Sequence, residues 1–236
     1  MNAMKKRIIT LLLAFACCIP LFVGCDNAET PDENENNTTE AATTTTQPNI
    51  ITGTITNWKV PTPEKGADGL YKIIINDFER PADIGPVIAG QKNTAGEVEK
   101  KIVHSGNQSF KIRYLNEDGG YDYANLRQPL NIEHRKDYSN FKTVKKISFW
   151  VYNAQTKAQT LTFAITLNGA SSTHISVDTE IPSKEWTEVV INLADYSAIP
   201  TNKTVERMSF TFKQASYTKD TVFYIDDICL HSTTPM

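Results

Sequence analysis

The sequence predicts an all-β protein, a two-sheet antiparallel β-sandwich of the jelly-roll kind. Three observations predict it. Apolar residues alternate with polar ones in segment after segment, turn-forming residues separate these segments, and nothing between residues 70 and 231 sustains a helical period. A period of two sends alternate side chains to opposite faces of a strand, so each segment has one face to bury. Many short strands of this kind, joined by polar turns, close into two packed sheets.

Taken in order, residues 71–75 are apolar and β-branched, and residues 109–115 place Phe110, Ile112 and Tyr114 on one face. Residues 121–127 align Tyr121, Tyr123, Asn125 and Arg127. Residues 145–152 turn Ile147, Phe149 and Val151 one way and Ser148, Trp150 and Tyr152 the other. Residues 160–167 repeat the pattern, and Asn168-Gly169 is a hairpin signal into residues 173–177. Residues 186–193 bury Val189, Ile191 and Leu193; residues 207–213 bury Met208, Phe210 and Phe212. Residues 222–230 form an apolar segment interrupted by Asp226-Asp227.

The chain begins differently. Lys5, Lys6 and Arg7 precede an apolar run from Ile8 to Val23, which is a signal-peptide layout and too short to span a bilayer. It ends in Leu21-Phe22-Val23-Gly24-Cys25, which resembles the lipobox of bacterial lipoproteins and implies lipidation of Cys25. Residues 1–24 are therefore read as signal peptide. Residues 25–69 are read as the lipidated cysteine and a disordered, acidic, Thr-rich linker, residues 70–231 as the folded module and residues 232–236 as a tail. Cys17 and Cys18 lie in the signal, so Cys229 is left with no partner for a disulfide.

The linker from Asp26 to Gln47 has no aromatic and no basic residue and cannot bury enough surface to order itself. Setting aside its acids and the signal's cations leaves equal numbers of acidic and basic residues in the rest. A neutral module argues against nucleic acid as partner and leaves the lipid anchor as the contact with the membrane.

Two acidic clusters bracket the folded part: Asn76-Asp77-Phe78-Glu79 opens it and Asp226-Asp227 closes it. Carboxylates in an apolar strand are costly unless a charge or hydrogen bonds satisfy them. Where chain ends meet, such oxygens suit a hard cation such as calcium. The alternative is a hydrogen-bonded Asp pair capping a strand end.

Four segments resemble the β-jelly-roll carbohydrate-binding modules of the galactose-binding-like type. They are Asn-Asp-Phe-Glu at 76–79, His-Ser-Gly-Asn-Gln-Ser-Phe-Lys-Ile at 104–112, Ile-Ser-Phe-Trp-Val-Tyr-Asn at 147–153 and Phe-Tyr-Ile-Asp-Asp-Ile at 223–228. The resemblance implies a structural calcium ion. Its ligands would be Asp77 or Glu79, backbone oxygens near Gly106 and Asn107, and Asp226 or Asp227.

A sugar offers an apolar C–H face and a rim of hydroxyls, which aromatic rings and polar side chains can meet. Tyr121, Tyr123, Arg127, Trp150, Tyr152, His174 and Gln214 are candidates for such a surface on one concave sheet. The alternative is that a loop covers Trp150 and Tyr152.

No pair of acids is spaced for glycoside hydrolysis, and in a regular strand the adjacent Asp226 and Asp227 would face opposite ways. The four histidines show no zinc spacing, and no nucleophile elbow is present. The sequence thus favours a non-catalytic surface lipoprotein of the cell envelope that captures a polysaccharide or oligosaccharide for partner glycanases or transporters. A structural or protein-interaction subunit of a cell-envelope assembly is the alternative, and a glycoside hydrolase with a site assembled from distant residues is a third, less favoured one.

Overall fold

The computed structural model describes residues 62–80, 94–115, 123–130, 135–213 and 221–236, all within the unit Thr45–Met236. Among them run the strands β1 (Glu64–Lys65), β2 (Tyr71–Asn76), β3 (Thr94–Glu99), β4 (Ser109–Tyr114), β5 (Tyr123–Pro129) and β6 (Val144–Asn153). They continue with β7 (Gln159–Leu167), β8 (Thr173–Ile181), β9 (Trp186–Asn192), β10 (Val205–Lys213) and β11 (Thr221–Ser232). The helical turns among the described residues are short 3-10 turns at Lys136–Ser139 and Leu193–Asp195.

The strands form two antiparallel sheets, a jelly-roll β-sandwich. The smaller is ordered β5-β10-β7-β8. The larger runs β1-β2-β11-β4-β3, with β6 on the other edge of β11 and β9 beyond it. The alternation that forms the strands also fills the core, because most inward positions carry a large apolar side chain. Phe149 of β6 meets Phe210 of β10 edge-on at 4.8 Å and Phe163 of β7 at 5.4 Å, so rings from both sheets interdigitate. Phe212 stacks on Phe223 at 3.7 Å. One polar pair crosses this core: Asn76 Nδ2 donates to Gln128 Oε1 at 2.8 Å, both residues fully buried. Satisfied this way, the pair ties β2 to β5 at little desolvation cost.

Two boundaries differ from the sequence reading. Order begins before residue 70, since Glu64 and Lys65 pair with Lys72 and Tyr71 and Asp68 bonds Lys146 at 2.6 Å. Residues 232–236 are not a loose tail: Ser232 ends β11, Thr233 N donates to Thr143 O at 3.0 Å, and Met236 packs on the core. Polar composition hides such segments because backbone pairing, not apolar pattern, holds them. β3 escaped notice for the same reason, being a half-buried edge strand of sequence Thr-Ala-Gly-Glu-Val-Glu.

Candidate functional site

The acidic pair sits where β11 exchanges partners. β6 follows β11 along one edge, while on the other β4 pairs with residues 221–225 and β2 with residues 228–232. At the handover the register shifts, and Asp227 adopts a left-handed φ of 48°. This irregularity brings both carboxylates to one place, against the expectation for a regular strand. Among the described residues, Asp226, Asp227 and His104 form the one group of acidic, His or Cys side chains whose donor atoms lie within 4.8 Å of one another.

The turn at 104–108 clasps this pair. Asp226 is fully buried and accepts N–H bonds from His104 (3.1 Å), Ser105 (3.3 Å) and Asp227 (2.9 Å). Asp227 accepts the Ser105 hydroxyl at 2.9 Å and lies 2.8 Å from His104 Nδ1. Burial first, and then the neighbouring Asp227, pushes the Asp226 carboxyl up to about 7, against those three N–H bonds.

Glu79 holds the far side of the same turn. Its Oε1 accepts from Asn107 N at 2.6 Å and Gln108 N at 2.8 Å. Gly106 has a φ of +63°, and a Cβ there would stand 2.4 Å from Glu79 Oε1, so only glycine fits. The opening motif therefore reaches the turn without reaching the Asp pair. Glu79 is committed to N–H groups and Asp77 to Arg80 Nη2 at 3.3 Å and Glu79 N at 3.3 Å. Neither carboxylate joins Asp226 and Asp227 as the sequence reading expected. His104 and Ser105, which do, were missed; the His-Ser-Gly motif carried them in plain view.

The candidate sugar-binding residues do not share a face. Tyr121 and Gln214 lie outside the described residues. Trp150 and Tyr152 point outward from the larger sheet, whereas Tyr123, Arg127 and His174 belong to the smaller one. Because packed sheets are about 10 Å apart, the two groups look out from opposite sides of the sandwich. His174 is separated further: it lies on β8, across β10 and β7 from β5, roughly 15 Å by strand spacing. It faces the loop carbonyl of Ser197 at 3.2 Å.

On the larger sheet, registry places Trp186, Tyr152, Tyr224, Lys111 and Glu97 in one row across β9, β6, β11, β4 and β3. The aromatic rings of this row contact one another: Tyr152 lies 5.7 Å from Trp186, tilted at 57°, and 5.8 Å from Tyr224, edge to face at 72°. Trp150, in the next row, is covered by the His104 ring, stacked at 3.8 Å and 15°. These aromatics are occupied with one another and do not form a flat platform.

The outer face of the smaller sheet is polar. One row reads Asn125, Thr211, Thr162, Asp178 and the next Arg127, Ser209, Ala164, Ser176. Asn125 Nδ2 donates to Thr211 Oγ1 at 2.7 Å and Thr162 Oγ1 to Asp178 Oδ1 at 2.5 Å. Asn125, Thr162 and Ser209 are buried although they face away from the core. Asn125 Oδ1 has no hydrogen-bond partner, and Arg127 makes no ion pair or hydrogen bond among the described residues.

A profile of the family described as "Lyase, N terminal" matches residues 73–235, more than half of the chain. Part of an exo-β-agarase shares the fold, with a TM-score of 0.50 at 14% identity over 69% of this chain and 25% of that one. A family 11 carbohydrate-binding module from Clostridium thermocellum, in complex with a β-1,3-1,4-mixed-linked tetrasaccharide, gives a TM-score of 0.45 at 13% identity over 67% of this chain and 94% of that one. For a family 22 xylan-binding domain from Paenibacillus barcinonensis the values are 0.46, 17%, 69% and 98%. No curated protein matches the sequence.

Proposed function

We propose that this chain, which belongs to the family described as Lyase, N terminal, is a polysaccharide-binding module with no chemistry of its own. One observation carries the reading: unmet hydrogen-bonding capacity on the outer face of the smaller sheet. Arg127 offers five N–H donors and Asn125 Oδ1 an acceptor, beside the hydroxyls of Ser209, Thr211 and Ser176. A buried polar group without a partner costs free energy that a bound hydroxyl recovers. Tyr123, on the same strand face, supplies the ring for an apolar sugar face.

Affinity gels containing plant and microbial polysaccharides test this with the full chain. Retardation by one polymer should vanish in Tyr123→Ala/Arg127→Ala and persist in Tyr152→Ala. Absence of retardation by every polymer would sink the proposal. A protein-interaction role is favoured by the aromatic row on the larger sheet, and loss of binding only in Tyr152→Ala would point there.

Calcium belongs to the same proposal. Asp226 and Asp227 fit a divalent ion in one respect: two buried carboxylates side by side call for positive charge. They would hold it with oxygens of the 104–107 turn, and the ion would supply the charge that locks the turn to β11. Glu79 and Asp77 are engaged with N–H groups and lie outside the Asp226, Asp227 and His104 group, and the His104 imidazole is not a ligand type that calcium prefers. Because Asp226 already binds three N–H groups, Asp226→Ala should destabilise the fold with or without an ion. The chelator is the discriminating test, and equal melting with EGTA and with excess calcium would remove the ion from the reading.

The lipid anchor at Cys25 and the acidic linker, which lie outside the described residues, complete the proposal. The module would stand off the cell envelope beside glycanases or transporters. Cys25→Ala should shift the protein out of the membrane fraction; unchanged anchoring would defeat this part.

A further inference from the structure

The connection from β9 to β10 passes from the larger sheet to the smaller and closes one end of the sandwich. Beneath it is a cavity of about 400 Å³, open to solvent on one side. Its walls are continuous with the core: Phe141, Val144 and Ile175 are buried core residues, and Leu193 and Ile199 pack against them from the connection. Lys142 and Lys145 also line it, Ser197 and Thr201 add hydroxyls, and no acidic residue does. Neither lysine has an ion pair among the described residues.

This pairing of features selects a ligand class. The apolar part of the lining, from Phe141, Val144, Ile175, Leu193 and Ile199, suits an apolar body better than a polysaccharide chain, whose hydroxyls there would lose water without gaining partners. Two unpaired ammonium groups at the side of an apolar cavity complement one anionic head. The volume lies in the range of small-molecule sites. We propose that this cavity binds an amphiphilic anion, an alkyl or aryl carboxylate whose apolar body lies against Phe141, Ile175 and Leu193 and whose head meets Lys142 and Lys145. The site is separate from both sheet faces, and the proposal does not depend on the polysaccharide reading.

Decanoate, used below its aggregation concentration, is the probe, with decyl glucoside as the neutral control of equal chain length. Calorimetric titration uses the full chain carrying Cys25→Ala, so that no attached lipid competes. Decanoate should bind with one-to-one stoichiometry. Lys142→Ala/Lys145→Ala should weaken it about tenfold, since two partly solvated ion pairs are lost. Ala198→Trp, on the exposed connection, should fill the cavity and abolish binding without touching the core. No saturable binding of decanoate overturns the proposal. So does binding that is indifferent to both variants, or decyl glucoside binding as tightly as decanoate.

Discussion

The two outer faces of the sandwich differ in how far their groups satisfy one another. The larger sheet displays the residues that attract attention in the sequence, Trp150, Tyr152, Trp186 and the Asp pair, yet rings pack on rings and the carboxylates are held by the 104–108 turn. The smaller sheet displays modest residues, Asn125, Arg127, Ser209 and Thr211, and two of these have capacity left over. Conspicuous chemistry on the first face is spent on stability. Inconspicuous chemistry on the second keeps hydrogen-bonding capacity that its neighbours leave unmet.

The largest expected effect would break that contrast most directly. Tyr123→Ala/Arg127→Ala should lower polysaccharide affinity about a hundredfold, from one lost stacking contact and the lost charged hydrogen bonds. Tyr152→Ala should leave affinity within experimental error; a reversed result would exchange the roles of the faces.

Trp150→Ala tests the structural role of the aromatic face. Losing its stacking with His104 should cost about 2 kcal/mol in a urea melt, less than a fully buried Trp. Sugar binding should be retained. Gly106→Ala should cost about 1–2 kcal/mol, combining a strained left-handed φ with a push on Glu79. If its urea midpoint matches wild type, the turn is not the clasp described above.

The smallest effect concerns His231, which lies 2.8 Å from Ser148 Oγ. Burial, and then Lys146, holds its pKa below the ordinary value near 6.5. The unfolded chain therefore binds a proton that the folded chain resists. The His231 contribution to stability should fall as pH drops below about 6.5 and level off once the folded imidazole titrates, opposite in sign to that of Asp226, whose raised pKa favours the folded chain at lower pH. His231→Gln should flatten this dependence in melts at about pH 5.5 and about pH 7.5. An unchanged slope would assign it to other groups.

The fold was largely legible because its strands write their burial into the chain: Phe149, Phe163 and Phe210 occupy the inward positions that alternation predicts. β1 and β3 were not, since edge strands held by backbone bonds need no apolar pattern. The candidate site was legible residue by residue but not as a surface. Alternation tells which side of its own strand Trp150 or Arg127 takes; it does not tell which sheet the strand joins. The meeting of Asp226 with Asp227 depended on a register shift, and no local pattern announces one. His104 was adjacent to a motif already noticed, and only the long-range fold gives it a partner.

The position of β11 has a consequence for the order in which the molecule assembles. Among the described strands it is the last in order and the one that joins β2, β4 and β6, which are not paired with each other. Until its residues are available, the larger sheet exists only as separate pieces, β1-β2, β3-β4 and β6-β9. The β7-β8 hairpin, by contrast, closes over a short turn at Asn168-Gly169. Loop-closure entropy then sets a sequence of events: local hairpin first, distant strands last. Pulse-labelled hydrogen exchange during refolding should protect β7 and β8 amides before those of β2. The Trp150 and Trp186 fluorescence of the larger sheet should report the slowest phase.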